Sequence, residues 1–203
     1  MKGTTKMNIT KGIVTMFAAA ALSGVSAAEK SIVVYFSHTG ENYAVGNISE
    51  GNTAKVSKVI AAKTGAELYE IKEAKPYPAD YQACVDLAKK ELRSNARPEL
   101  AGKLPDLSEY SVIYLGYPNW WGDAPMVVYS FLDKVKIDGK TIIPFCTHEG
   151  SGLGATARKL AKAFPKSKVE QNGLSLRGAT AQRDAAATEE AVVKWLKSLG
   201  KIK

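Results

Sequence analysis

The chain has 203 residues, 28 basic and 20 acidic side chains, a formal net charge of +8 and 45% hydrophobic residues. That length favours one domain with a real core. The basic excess is scattered over helical segments (Lys58, Lys63, Lys89, Lys90, Arg158, Lys159 and Lys162), with no block interleaved with aromatics, which argues against nucleic-acid binding.

Lys2, Lys6 and Lys11 precede Ile13–Val25, an uncharged run rich in Ala, Val, Met and Phe. Small residues suited to cleavage follow at Val25-Ser26-Ala27 and Ser26-Ala27-Ala28. This is the layout of a secretory signal peptide over residues 1–28, with an apolar core too short for a comfortable membrane span. The alternative is an uncleaved N-terminal anchor, and Met7 is a second plausible start. Without a twin arginine, export would be of an unfolded chain, to a periplasm or to the cell exterior. Loss of the leader removes three lysines and leaves 25 basic against 20 acidic residues, or +5, in a domain over residues 29–203 with no integral membrane segment.

Ile32–Phe36 is a short apolar, β-branched and aromatic run that reads as a buried strand, ending abruptly in Ser37-His38-Thr39-Gly40. Polar Glu41–Gly51 then lies like an insertion before Asn52 and a helix over Thr53–Thr64, stopped by Gly65. Ala66–Ile71 alternates as a second strand, and Lys75-Pro76-Tyr77-Pro78 breaks regular structure. Asp80 is placed to cap a helix over Tyr81–Asn95 with Ala83, Leu87, Ala88, Glu91 and Leu92 on one face. A third strand, Val112–Gly116, runs into Pro118-Asn119-Trp120-Trp121-Gly122, and a helix from about Pro125 follows. Lys140–Cys146 is a fourth strand, with Pro144 marking an irregularity. Thr147–Gly152 is a polar glycine loop before a helix over residues 154–164. Val169–Leu176 is the last strand, interrupted at Asn172-Gly173. Gly178–Arg183 is a connector, and Asp184 or Thr188 caps a final helix that ends at Gly200. Five strands separated by helices imply a parallel sheet covered on both faces. The two cysteines, Cys84 and Cys146, define no disulfide framework, and two thiols are expected.

Three loops follow the C-terminal ends of expected strands, where ligands bind in an open parallel sheet. Ser37–Thr53 offers hydroxyls, N–H groups and a helix N-terminus for a phosphate. Tyr117–Asp123 presents two adjacent indoles, and Thr147–Gly152 offers glycine-rich N–H groups and hydroxyls for the polar edge of a heterocycle. Together they suit a phosphorylated planar ring, the shape of FMN. His148, with Glu149 beside it, is the first side chain to test for proton transfer, against the alternatives of a simple contact at the ring edge or a solvated loop histidine. In the phosphate loop, a charged His38 would add attraction. Glu41, Asn42 and Tyr43 either fold over a ligand or over nothing. No Cys, His and carboxylate cluster has metal-ligand spacing, and no serine sits in a nucleophile elbow.

The stretches VVYFSHTG…NTAKV, YLGYPNWWGDAPM and TIIPFCTHEGSGLG resemble those of flavodoxin-like proteins, and the similarity runs from about Ser31 to the end. The resemblance implies an α/β fold: a doubly wound five-stranded parallel sheet of order 2-1-3-4-5 in a three-layer α/β/α sandwich. It also implies that Ser37, Thr39, Asn52, Thr53 and the backbone of His38 and Gly40 hold the FMN phosphate. Pro118, Asn119, Trp120, Trp121 and Gly122, with Thr147, His148, Glu149, Gly150, Ser151 and Gly152, would then flank the ring. Such a protein would carry electrons to or from a redox partner protein or a small acceptor or donor. The alternatives are an FMN-dependent NAD(P)H or quinone oxidoreductase, or a flavodoxin-fold binding protein that has lost flavin. A hydrolase acting on another phosphorylated ligand fits the two tryptophans poorly, because phosphoryl transfer needs charge stabilisation more than stacking.

Overall fold

The computed structural model describes Met1, Gly3 and residues 29–203, so the expected signal peptide lies outside the described residues. The central sheet is parallel throughout. Strand β1 (Ser31–Tyr35) pairs on one side with β4 (Glu67–Glu70) and on the other with β5 (Val112–Pro118), which pairs in turn with β6 (Thr141–His148). The last position is shared by two short strands, β7 (Lys168–Val169) and β8 (Leu174–Arg177), both paired with β6. The spatial order β4-β1-β5-β6-β7 is the expected 2-1-3-4-5 when the strands are counted without the inserted hairpin.

Residues that alternate along β1 divide the core into two layers, because successive side chains of a strand point to opposite faces. Ile32, Val34 and Phe36 pack with Ile113 and Leu115 under Val127, Val128, Phe131 and Leu132 of α3 (Met126–Leu132) and Leu160 of α4 (Thr156–Ala163). On the same side lies α2 (Tyr81–Ser94), contributing Cys84. Val33, Tyr35, Tyr114 and Phe145 pack on the other face against Val56 and Ile60 of α1 (Asn52–Thr64) and Val192, Trp195 and Leu196 of α6 (Ala185–Ser198). Buried at all but their end residues, β1, β5 and β6 are the near-continuous apolar runs that a sheet covered on both faces requires.

Helix ends follow local chemistry. Gly65 takes φ 70° as the left-handed cap of α1, and the Asp80 carboxylate accepts the Ala83 N–H at 2.7 Å. Asp184, not Thr188, caps α6 through the Ala187 N–H at 2.9 Å. Three expectations need correction. Pro125 is the cap of α3 and not its first residue, and α4 starts at Thr156 because Gly154 has φ +61°. Gly178–Arg183 is a short helix, α5, rather than a connector. The inserted segment is also structured: Gly40–Asn42 (β2) and Gly46–Ile48 (β3) form an antiparallel hairpin.

The split between β7 and β8 centres on Pro144. A proline has no N–H to donate to a neighbouring strand, and Gly173 approaches its carbonyl so closely that a Cβ there would stand 2.4 Å from the oxygen. Cys84 and Cys146 are both buried, free thiols. No helix among the described residues is long and apolar enough to cross a membrane.

Gly116 sets the closest approach inside the sheet, since a Cβ there would lie 2.2 Å from Cζ of the fully buried Phe145. Gly116→Ala should therefore lower the urea midpoint, with a loss of about 1–3 kcal/mol from overpacking. A midpoint equal to that of the parent chain would contradict this packing.

Candidate functional site

Because β1, β5 and β6 are parallel and in register, the loops that leave their C-terminal ends emerge side by side. In the first loop the two halves separated by the hairpin touch again. A Cβ on Gly51 would lie 2.2 Å from Ser37 Oγ and 2.4 Å from the His38 carbonyl oxygen, so only glycine fits this contact. Gly51 brings no capping side chain to α1, and Ser37 supplies one from across the loop, its Oγ accepting the Ala54 N–H at 3.0 Å. Thr53 is buried, and its hydroxyl meets that of Thr147 at 2.8 Å, fastening the first loop to the third. The helix therefore begins against the sheet edge, with its first N–H groups lacking intrahelical partners.

Asn119 fastens the second loop. Its amide donates to the Gly152 carbonyl at 2.6 Å and accepts the Gly122 N–H at 2.9 Å, while its backbone N–H reaches the Thr147 carbonyl at 2.8 Å. The adjacent indoles do different jobs. Trp120 packs edge-on against Phe36 and Tyr77, with ring centroids 5.6 and 5.0 Å away. Trp121 takes φ +56° and is half exposed, and its indole N–H donates to the Val85 carbonyl of α2 at 3.2 Å. Below the loop, the buried Asp123 carboxylate accepts from Tyr129, Thr156 and Lys159 at 2.9, 2.9 and 2.5 Å, anchoring β5 to α3 and α4.

In the third loop both nitrogens of His148 are engaged. Nδ1 accepts the Gly150 N–H at 2.8 Å, so the neutral ring carries its proton on Nε2 and donates to Ser175 Oγ at 2.9 Å. No free N–H remains to serve as a proton donor without breaking one of these bonds. Glu149, its neighbour in sequence, turns away and accepts the Ala179 N–H at 2.8 Å, capping α5.

The loops enclose a cleft of about 430 Å³. His38, Asn52, the segment Pro118–Trp121 and the segment Thr147–Ser151 line it, whereas Ser37, Thr39, Gly40, Thr53, Gly122 and Gly152 do not reach its wall. Thr39 is exposed, and Gly40 starts β2 against Ala79. No lysine or arginine lines the cleft. Two of its polar atoms, His38 Nε2 and Asn52 Oδ1, are buried without a hydrogen-bond partner, which an interior polar atom rarely is. Sequence reasoning missed the contribution of α2, which adds Tyr81, Cys84, Val85 and Ala88 to the wall. Its amphipathic face was visible in the sequence, but no local signal says which loop that face meets.

Burial pushes both cysteine thiols up to about 12, so neither is a thiolate near neutral pH. Burial also holds His38 below the ordinary histidine value, so the expected positive charge in the phosphate loop is absent near neutrality. His148 is lowered as well, first by burial and then by the positive charge of Arg177, against the opposing pull of Glu149. Among the described residues no group of three or more His, Cys, Asp or Glu side chains is arranged to hold a metal ion.

The lowered histidines give stability a definite pH dependence. The unfolded chain protonates His38 and His148 as the pH falls through 6.5, while the folded chain resists until lower pH. Their stabilising contribution is complete above 6.5 and is lost on acidification. The urea midpoint should fall between about pH 7 and 5, and less steeply in a His38→Gln, His148→Gln double variant. Equal slopes for the two proteins would refute this assignment.

A family model for flavodoxin matches residues 30–199. A solved protein from Bacteroides uniformis described as a flavoprotein is 31% identical, with 84% of this chain and 99% of that chain covered and a TM-score of 0.68. A second, from Bacteroides eggerthii, is 28% identical over 84% and 98% of the two chains, with a TM-score of 0.66. A flavoprotein from Lactobacillus acidophilus, solved in complex with FMN, shares the fold at 22% identity and a TM-score of 0.59, over 77% and 98% of the two chains. No curated protein matches the chain.

Proposed function

Since the chain belongs to the flavodoxin family, we propose that the cleft binds FMN and that the protein transfers electrons to or from a redox partner protein or a small acceptor or donor. The observation that carries this reading is the convergence of an open helix N-terminus and a half-exposed indole on one cleft between three strand ends. Bound FMN would supply one- and two-electron chemistry at its ring, and the protein would supply binding, orientation and exclusion of water.

The residues fit the group. The start of α1 at Asn52, which lines the cleft, would hold the phosphate through its N–H and the helix dipole, with Ser37 keeping the helix start in place. A ribityl hydroxyl is the donor that Asn52 Oδ1 lacks, and neutral His38 Nε2 can complete a second such bond. Trp121 offers its face, while Trp120 braces the loop from behind. Asn119 holds the second and third loops at a fixed separation, with Gly150 and Ser151 at the cleft edge. His148 acts here as a loop fastener, keeping Gly150 in place. Export to a periplasm or to the cell exterior belongs to the same proposal and rests on the leader-like residues 1–28.

Titration of the protein with FMN, followed by quenching of flavin fluorescence, tests the reading. FMN should bind at submicromolar concentration. Riboflavin, which lacks the phosphate, should bind at least about tenfold more weakly, because one hydrogen bond to a charged group contributes roughly 1.5–3 kcal/mol. Trp121→Ala should weaken FMN by about three- to tenfold through lost stacking. Equal affinity for FMN and riboflavin would remove the phosphate assignment, and a folded chain that binds neither would remove the flavin.

A further inference from the structure

Trp121 is gripped twice by one face of α2. Its indole N–H donates to the Val85 carbonyl, and Lys89, one helical turn further along, lays its Nζ 4.6 Å from the indole centroid. An indole face attracts a cation better than any other side-chain ring. The loop side is fixed as well. Trp121 and Gly122, at φ +56° and +80°, are the central pair of a two-residue turn. That turn is closed by the Trp120 N–H on the Asp123 carbonyl at 2.9 Å and the Asp123 N–H on the Trp120 carbonyl at 3.1 Å. The Gly122 carbonyl also accepts the Ala155 N–H at 3.0 Å. The indole is thus a spacer of fixed position between Lys89 and whatever stacks on Trp121.

Lys89 is half-buried and makes no ion pair among the described residues. Asp86, its acidic neighbour one turn earlier, accepts the Gln82 amide at 3.1 Å, and Lys90 and Arg93 share the shallow groove that Lys89 lines on α2. Lys89 lines that groove and not the cleft, so the indole stands between it and a ring held in the cleft. The carboxylates on the cleft wall, Glu41 and Glu149, have the opposite sign. Arg177, in register with His148 at the end of β8, is the cation beside the third loop, away from the indole's grip on α2.

On the reading that the flavin ring lies against Trp121, we propose that Lys89, acting through the indole, strengthens the binding of reduced over oxidised FMN and so raises the reduction potential of the flavin. Two electrons and one proton, taken up at N5, leave the ring with a negative charge that the oxidised ring does not carry. Stacking on an indole takes that charge out of water, which disfavours it, and Glu41 and Glu149 repel it. Lys89 supplies the compensation. Stacked rings approach to about 3.5–4 Å, which puts the ring within roughly 9 Å of Nζ. At that separation, half in water, two unit charges change an equilibrium constant by roughly three- to tenfold.

The midpoint potential of the FMN-loaded protein tests the proposal, together with the affinity for oxidised FMN. Dithionite supplies the electrons and is oxidised to sulfite, and a reference dye reports the potential. Lys89→Gln should keep the affinity for oxidised FMN within about twofold and weaken that for reduced FMN by about three- to tenfold. That change lowers the potential by about 15–30 mV for a two-electron couple. Lys89→Arg should keep the parent potential, as should Lys90→Gln, which removes a charge from the same helix without touching the indole. In about 1 M KCl, where the screening length falls to about 3 Å, the gap between parent and Lys89→Gln should close. An unchanged potential in Lys89→Gln would overturn the proposal, and so would a gap that survives the salt. Equal loss of oxidised and reduced FMN would overturn it too, leaving Lys89 only the task of holding the indole. A chain that takes up no FMN fails earlier, at loading, and that result overturns the flavin reading on which this one rests.

Discussion

The contact of Gly51 with Ser37 and His38 is the constraint on which the site depends. It closes the base of the β2–β3 hairpin, so that ten or so extra residues leave and rejoin the loop without moving α1 from the end of β1. The Ser37 hydroxyl then caps a helix whose own cap position carries no side chain. An extra carbon at residue 51 would meet backbone as well as the serine, and backbone at a strand end has little freedom to shift. The helix N-terminus, and whatever anion it faces, is thus positioned by an absence of atoms.

From that contact the other two loops are stitched in order. Thr53 reaches Thr147, and Asn119 reaches Gly152 and Gly122, so each loop is fixed to a neighbour through a buried or half-buried hydrogen bond. Such polar pairs specify geometry more than they add stability, because an unpaired member would carry the full cost of desolvation. Of the four buried side-chain atoms without a hydrogen-bond partner among the described residues, His38 Nε2 and Asn52 Oδ1 belong to residues that line the cleft. A ligand with hydroxyl groups completes the accounting that the protein alone leaves open.

Much of the fold was legible in the sequence because its signals are local. The apolar runs of β1, β5 and β6, the Asp80 and Asp184 caps and the Gly65 stop all act within a few residues of where they are written. The hairpin was not legible, since GEN and GNI have no apolar alternation and are held by Ala79, Tyr81 and Arg183 from distant segments. Helix α5 was missed for the same reason, its cap being Glu149, about thirty residues upstream. The neighbours His148 and Glu149 suggested a working pair, yet the first is bound to Ser175 and Gly150 and the second to Ala179. Trp120 and Trp121 look alike in sequence, yet Trp120 packs edge-on against Phe36 and Tyr77 while Trp121, at φ +56°, stays half exposed and bonds to α2.

Backbone amide chemical shifts recorded during FMN addition bear most directly on the central claim, that α1 begins at a phosphate site and the strand-end loops enclose the ring. The largest shifts are expected at Asn52, Trp121 and Gly150, which line the cleft, with small changes at Lys168 and Val169 beside the opposite, N-terminal end of β6. Shifts concentrated away from the three loops, or none at saturating FMN, would contradict it.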